Sequence, residues 1–234
     1  MSSPPASEFD EYGETYADAV ERAIAFSGAD HGFFTRAKVR ELLALTTGRL
    51  GDPSRLSFLE VGCGPGETDR LLEGRVRGLT GVDVSGPMIE AARERNPWAE
   101  YTEVAEDGRI PLPSDCVDVS FAICVLHHVA PPQRGRLIGE MARVTRPGGL
   151  VAIFEHNPWN PLTRKAVAGC EFDRDAILLR RTESARLLRD AGLTGVEGSY
   201  ILYFPRESER LQRIERLLGR LPLGAQYVVS ARRG

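Results

Sequence analysis

Three glycines at alternate positions follow an acidic residue in the segment Phe58-Leu59-Glu60-Val61-Gly62-Cys63-Gly64-Pro65-Gly66. The apolar run predicts a buried strand, and glycines allow positive φ angles and let a ligand approach the backbone without a Cβ in the way. A helix beginning near Glu67 would direct its free amide groups at the same space. The carboxylate of Glu60 could hold an ammonium group through charge-assisted hydrogen bonds. The segment therefore predicts a nucleotide-binding turn.

A second acid, Asp83, ends the predicted strand at residues 75–82. Its position, about 20 residues beyond the first glycine, is the distance at which a βαβ unit brings two strand tips together. An acid there can bridge both hydroxyls of a ribose. Asp83 could also simply begin a helix that has Ser85 as its N-cap and contains Met88, and the two interpretations are compatible.

The pattern E-x-G-x-G-x-G followed by Asp83 resembles motif I and the second-strand acid of the class I S-adenosylmethionine-dependent methyltransferases. NAD-dependent dehydrogenases are disfavoured, because they place the third glycine one position later than Gly66. The stretches Leu126-His127-His128 and Arg146-Pro147-Gly148-Gly149 resemble further marks of the family. The resemblance covers residues 56–233 and implies an α/β, Rossmann-like, doubly wound sheet of seven strands with the last strand antiparallel. It also implies S-adenosyl-L-methionine as the cofactor.

The resemblance assigns a set of cofactor contacts to this chain. In the third loop, Glu106 lies at the family's distance before Pro111, whereas Asp107 before Gly108 is the better chemical match for the adenine amino group, and both remain open. The implied cofactor-binding residues are Glu60, Gly62, Cys63, Gly64, Gly66, Asp83, Val84, Met88, Glu106, Asp107, Gly108, Ala122, Ile123 and His127.

Apolar runs predict the remaining strands at residues 99–104, 115–123, 150–154, 200–204 and 225–231. The run at 150–154 is continuous, which suits a parallel strand covered on both faces. Residues 134–143 have the apolar spacing of a helix. The glycines after Pro147 are expected to end that helix before the strand begins.

The implied reaction moves a methyl group to an oxygen or nitrogen of a small-molecule acceptor. His156, at the predicted sheet edge, is our first candidate for a general base and His127 the second. A loop histidine bonded to nearby backbone is an equally good account of His156. Adjacent histidines on a helix point roughly 100° apart, so His127 and His128 would not both face the cofactor. With no further ligand nearby in sequence, we expect no metal site and a metal-independent reaction.

Residues 1–48 are expected to form an N-terminal helical lid over a methyltransferase core at 49–234, with insertions at about 156–181 and 204–224. Residues 8–45 predict two helical stretches joined around 28–32. The loop 156–164 is too proline-rich for a regular helix. The arginines that follow it are compatible with an anionic acceptor. Candidate substrate contacts, each of which could instead be a packing residue, are Tyr12, Tyr16, Phe33, Phe34, Asn157, Trp159 and Arg164. The segments after 156 resemble bacterial methyltransferases of cell-surface glycan or secondary-metabolite pathways.

Composition agrees with one sizeable core, since the chain has 234 residues of which 42% are hydrophobic. A net charge of -3 argues against nucleic-acid binding by bulk charge. Four scattered cysteines predict reduced thiols in a cytoplasmic protein, and no run reaches transmembrane length. A predicted helix near 206–220 places arginines on one side and leucines on the other. A solvated face is favoured there over peripheral contact with a membrane or a lipid-linked phosphate.

Motif I indicates that the protein binds the cofactor, but it does not indicate that the protein transfers a methyl group. The alternative to a methyltransferase is therefore an S-adenosylmethionine-binding protein or a non-methylating enzyme on the same fold.

Overall fold

The computed structural model describes residues 21–105, 107–206 and 208–234. Strands and helices alternate along most of the described chain, as the α/β class requires. In chain order the elements are α1 (His31–Leu50), β1 (Ser57–Val61), β2 (Gly78–Asp83), α2 (Gly86–Arg95), β3 (Glu100–Glu103), β4 (Val117–Ile123), α3 (Pro131–Val144), β5 (Thr145–His156), α4 (Pro161–Gly169), α5 (Arg181–Asp190), β6 (Thr194–Ile201), α6 (Glu209–Leu218) and β7 (Gln226–Arg232).

All seven strands belong to one sheet, in the order β3-β2-β1-β4-β5-β7-β6. Strands β1 to β5 are parallel, and β7 pairs antiparallel with β5 and β6. This confirms the predicted doubly wound sheet with its last strand antiparallel. The strand order reverses between β1 and β4, and open α/β sheets bind ligands beside the carboxyl ends of the strands at such a point.

The central strands are covered on both faces, as the apolar run of β5 predicts. Ala152 and Phe154 pack into a layer with Leu42 of α1, while Val151 and Ile153 pack into the opposite layer with α3 and α5. All four β5 side chains are fully buried. The layers fix the strand ends, and therefore the residues that follow them, relative to one another.

The helix expected to begin near Glu67 is not present as an α-helix. The connection from β1 to β2 contains only a 3₁₀ turn at Asp69–Leu71, held by hydrogen bonds of the i to i−3 type. Gly66 and Gly74 both have left-handed φ angles, 72° and 68°, and leave seven residues between them, too few for a stable α-helix. The amide groups that face the ligand space are therefore those of the glycine turn itself.

Two further expectations about helices are wrong. His127 and His128 lie in a turn between β4 and α3, so their rings are not splayed by helical geometry; the ring centroids are 4.1 Å apart. The proline-rich insertion does contain a helix, α4. Asn160 caps it by accepting from the amides of Leu162 and Thr163, and Pro161 occupies the first helical position, where its missing N–H costs nothing.

The last elements are displaced from their predicted limits: β6 ends at Ile201, whereas the prediction placed a strand at 200–204. Helix α6 is only partly covered, since Leu211 and Leu218 are half-buried while Ile214 and Leu217 are exposed, as is Leu221 just after the helix. Within the described ranges, no helix combines the length and the apolar character needed to cross a membrane.

Candidate functional site

A cavity of about 1130 Å³ lies at the carboxyl ends of β1, β2, β4 and β5. One side, the cofactor half, is formed by the glycine turn and the segments after β2 and β3. The other side, the acceptor half, is formed by the start of α1, by α4 and by residues 202–205. Sites for one drug-sized ligand have roughly 300–1,000 Å³. The volume is therefore sufficient for a cofactor and a small acceptor together.

Most of the residues predicted from the sequence line this cavity. They are Phe33, Phe34, Glu60, Gly62, Cys63, Gly64, Asp83, Val84, Met88, Asp107, Gly108, Ile123, His127 and His156. The predicted residues that do not line it are Gly66, Ala122, Asn157, Trp159 and Arg164. Tyr12, Tyr16 and Glu106 lie outside the described residues.

The three glycines of the turn serve different purposes. A Cβ at Gly62 would collide with the side chain of Val125, and one at Gly66 would collide with Asn96 of α2. Gly64 has φ 50° and open space where a Cβ would be, and it faces the cavity. Only Gly64 thus leaves room for a ligand directly, while the other two permit close packing of the turn.

Asp83 braces the glycine turn from the tip of β2. Its Oδ2 accepts from the amide of Gly64 at 2.8 Å, and its Oδ1 accepts from the amide of Ser85 at 3.0 Å. Ser85 in turn accepts from the amide of Met88 and caps α2. Asp83 therefore lies just before the Ser85 cap of α2, and its carboxylate lies at the cavity beside the turn. Its contact with a ribose stays a prediction.

Glu60 is 2% exposed, and its Oε2 has no hydrogen-bond partner within the described ranges. Burial and the adjacent Asp69 raise the pKa of Glu60 well above its ordinary value. Asp69 itself accepts from the hydroxyl of Tyr101 at 2.7 Å. A cation that arrived in the cavity would satisfy the free oxygen of Glu60 and favour loss of its proton.

The loop after β3 presents an exposed acid and a glycine. Asp107 accepts from the amide of Arg109 at 2.9 Å and lies 3.7 Å from Arg136. Gly108 has φ 73° and no atom near the place of a Cβ. Val84 and Met88 line the same side of the cavity, the first 46% exposed and the second buried.

His127 is held between two carboxylates. Its Nδ1 lies 2.6 Å from Glu155 Oε2 and its Nε2 lies 3.2 Å from Asp173 Oδ1. Burial opposes its charge, but Glu155 and Asp173 outweigh burial and hold the pKa of His127 well above its ordinary value. The ring is therefore an imidazolium whose two N–H groups are both donated.

The positive charge of His127 changes its neighbours. Burial and that charge lower the pKa of His128 to about 3 and the pKa of His156 to about 4. Burial opposes ionisation of Asp173, but the hydrogen bond to His127 and the charges of the neighbouring histidines together outweigh burial and bring the pKa of Asp173 to about 2. His156 lies on the cavity wall as a neutral imidazole at neutral pH, with its ring centroid 5.0 Å from that of His127.

His127, His128 and Asp173 also have the composition of a metal site, with ligand atoms within 4.8 Å of one another. Asp173 lies 3.2 Å from one Nε2 and 3.3 Å from the other. The sequence-based argument that no acid accompanies the histidines is therefore wrong. His127 and Asp173 are joined here as an ion pair, and a metal could bind this cluster only by displacing the proton of His127.

The acceptor half is mainly apolar and aromatic. Its lining includes Phe26, Phe33, Phe34, Leu162, Val167, Phe172, Tyr203 and Phe204. The predicted contacts from the proline-rich loop point elsewhere: Asn157 is buried and donates to the carbonyls of Pro222 and Gly224, and Trp159 stacks with Arg180 at the surface. Arg164 borders a separate, shallow depression.

Sequence reasoning missed three charged residues, Lys38, Glu155 and Asp173. Glu155 precedes His156 directly and was assigned only to the end of the strand. Asp173 is 46 residues beyond His127, so nothing local connects them. For Lys38 a signal existed: it lies four residues after Phe34 and therefore on the same face of α1.

The residues of the cofactor half fit the expected S-adenosylmethionine. An adenosyl ligand with an amino-acid tail needs an acid for its ammonium, an acid for its ribose and open backbone between them. Glu60 offers an unpartnered buried oxygen, Asp83 offers a carboxylate at the strand tip, and Gly64 offers the open backbone.

Comparisons with known proteins agree. A family model described as a methyltransferase domain matches residues 59–153. The chain is 27% identical to the 27-O-demethylrifamycin SV methyltransferase of Amycolatopsis mediterranei, over 99% of the chain and 89% of that protein. It is 35% identical to the trans-aconitate 2-methyltransferase of Paracidovorax citrulli, over 51% of the chain and 47% of that protein. A crystal structure of an S-adenosylmethionine-dependent methyltransferase from Thermotoga maritima shares the fold, with a TM-score of 0.66 and 19% sequence identity. The superposition covers 97% of this chain and 100% of the Thermotoga chain.

Proposed function

Because the chain belongs to the class I S-adenosylmethionine-dependent methyltransferases, we propose that it methylates a hydroxyl oxygen of a small, largely apolar acceptor. The observation that carries this proposal is a cavity that joins the glycine turn to an aromatic-lined space, with a neutral histidine, His156, on its wall. The named activity of the relative from Amycolatopsis, a 27-O-demethylrifamycin SV methyltransferase, supports oxygen as the acceptor atom.

The cofactor half binds and orients the donor. Glu60 takes the ammonium of the amino-acid tail, Asp83 takes the ribose hydroxyls, and Val84 and Met88 flank the adenine. Asp107 is the described candidate for the adenine amino group. When bound, S-adenosylmethionine supplies an electrophilic methyl group on a positive sulfonium. Orientation of this group toward the acceptor half provides most of the catalysis.

His156 accepts the hydroxyl proton as the acceptor oxygen forms its new bond. The Gln226 amide lies beside the ring, with its nitrogen 3.3 Å from His156 Nδ1. A half-turn of that amide brings its oxygen, which has no partner among the described residues, to Nδ1. The oxygen would accept the Nδ1 proton and leave Nε2 unprotonated as the base.

His127 has a positioning role in this account. Both of its N–H groups are donated to carboxylates, so it has no lone pair for a substrate proton. Its charge adds to burial in lowering the pKa of His156. Its contacts with Glu155 and Asp173 join the insertion to the end of β5. The proposed reaction needs no metal ion, and turnover is expected to be unchanged by dialysis against a chelator.

The N-terminal region acts as a lid in this proposal, with residues 1–48 as the predicted extent. The described part, α1, is attached to the glycine turn by His31 Nδ1, which lies 3.0 Å from Glu67 Oε2. The same helix brings Phe33 and Phe34 to the cavity. The lid would exclude water from the reacting groups. A secondary metabolite is the acceptor class that the similarity to a rifamycin-modifying enzyme favours.

A product assay tests the proposal. The protein is incubated with S-adenosylmethionine and with matched sets of apolar alcohols and phenols, amines, and carboxylic acids, and S-adenosylhomocysteine and the methylated product are measured. We expect turnover with hydroxyl acceptors. Turnover confined to amines would contradict oxygen as the acceptor atom. Turnover confined to carboxylic acids would place the methyl group on a carboxylate oxygen and would contradict the hydroxyl acceptor and its base.

A further inference from the structure

Lys38 lies on the cavity wall, and its ammonium has no partner among the residues that the structure describes. The residue is only 7% exposed, and it lines the cavity from α1. No hydrogen bond or ion pair joins its ammonium to any residue in the described ranges. Most of the side chain is buried and the residue lines the cavity, so its ammonium is available to an anionic group of a ligand there.

Glu60 presents the complementary problem on the same cavity. Its carboxylate is buried, and one of its oxygens is unpartnered. The charge of Lys38 acts on Glu60, yet the two groups are not close enough to form an ion pair. Lys38 and the acid Glu60 line one cavity and do not close on each other, so they leave a gap that a zwitterion can fill.

The position of Lys38 is fixed by the structure around it. Helix α1 begins at an Asp30 cap, which accepts from the amide of Phe33, and His31 attaches the same turn to Glu67. Val39 and Leu42 bury the helix against the sheet. The lysine is therefore held on the wall of the cavity beside the glycine turn, where the amino-acid tail of the cofactor would lie if Glu60 holds its ammonium.

We propose that Lys38 binds the carboxylate of the cofactor's amino-acid tail while Glu60 binds its ammonium, so that the two residues clamp the zwitterion. This rests on the assignment of Glu60 and the glycine turn to the cofactor in the proposed function.

Two other cations line the described cavity. His127 donates both of its N–H groups to Glu155 and Asp173, and Arg136 is 60% exposed and lies near Asp107 on the adenine side. Neither is therefore placed to serve the tail.

The test compares two ligands that differ only in the tail. S-adenosylhomocysteine carries the amino-acid group, whereas 5′-methylthioadenosine lacks it and keeps the adenosine. Calorimetric titrations of both ligands are made with wild type, Lys38→Met, Lys38→Arg and the control Arg136→Met. Thermal unfolding of each variant checks that it is folded.

Lys38→Met is expected to lose roughly 10- to 100-fold in affinity for S-adenosylhomocysteine, the range for one hydrogen bond to a charged group. Its affinity for 5′-methylthioadenosine should not change, Lys38→Arg should recover part of the loss, and Arg136→Met should resemble wild type. An equal loss for both ligands would make Lys38 structural, and an unchanged S-adenosylhomocysteine affinity would assign it to an acidic acceptor; either result overturns the proposal. If wild type binds neither ligand, the proposed function fails, because the cavity is then not a cofactor site. That result is distinct from a failure of the Lys38 proposal alone.

Discussion

The cofactor half and the acceptor half of the cavity differ in what holds their functional groups in place. In the cofactor half, backbone amides and strand ends position the functional groups. Asp83 accepts from the Gly64 amide, and the glycine turn packs against Asn96 and Val125. In the acceptor half, side chains from separate segments meet, and the charged cluster of His127, Glu155 and Asp173 joins an insertion to the sheet. The first half should tolerate little change in its backbone, whereas the second can change its ligand by exchanging side chains.

Replacement of the proposed base should give the largest difference between the two halves, because it should affect turnover and leave cofactor affinity unchanged. His156→Ala is expected to lower turnover by roughly 100-fold or more, the usual contribution of a general base, while the affinity for S-adenosylhomocysteine stays the same. Burial, His127 and Lys38 lower the pKa of His156, and they outweigh Asp173 and Glu155, which raise it, so that it is about 4. Turnover of wild type should therefore fall only as the pH drops through that value. Steady-state kinetics over pH, with imidazole added to rescue the variant, measure both. Turnover that survives the substitution would remove His156 from the mechanism.

The ion-pair cluster should show its effect in stability. Asp173 has a pKa of about 2, below the ordinary 3.8, so it stabilises the fold above pH 3.8 and loses that effect as the pH falls through 2. Asp173→Asn should lower the free energy of unfolding at pH 7 by roughly 2 kcal/mol. Urea unfolding of this variant, beside the exposed-site control Asp175→Asn, measures the difference. If both variants match wild type at pH 7, the cluster does not anchor the insertion.

The buried acid of the cofactor half should make cofactor affinity depend on pH. Burial and Asp69 raise the pKa of Glu60, with Lys38 opposing them, and the ammonium of the cofactor needs the ionised form. Affinity for S-adenosylhomocysteine should therefore increase with pH up to the raised pKa, by at most about tenfold per pH unit. Binding should also release protons, which calorimetry in buffers of different ionisation enthalpy detects. If the affinity for S-adenosylhomocysteine changed with pH as the affinity for 5′-methylthioadenosine does, Glu60 would not contact the ammonium.

The same contrast explains what the sequence could predict. The strand order and the contacts at Glu60, Gly64 and Asp83 follow from a contiguous motif and a fixed βαβ spacing, so they could be inferred locally. The helix expected after Gly66 failed because two left-handed glycines shorten that segment. Asp173 could not be inferred, because only tertiary packing brings it to His127.

The central claim is that the tip of β2 and the glycine turn hold the adenosyl cofactor. The most direct test is a calorimetric titration of wild type and Asp83→Ala with S-adenosylhomocysteine, with NAD as the control ligand. The account predicts micromolar binding by wild type, a loss of roughly 100-fold or more in the variant because two charge-assisted hydrogen bonds disappear, and no binding of NAD. Equal affinity of wild type and variant, or preference for NAD, would contradict it.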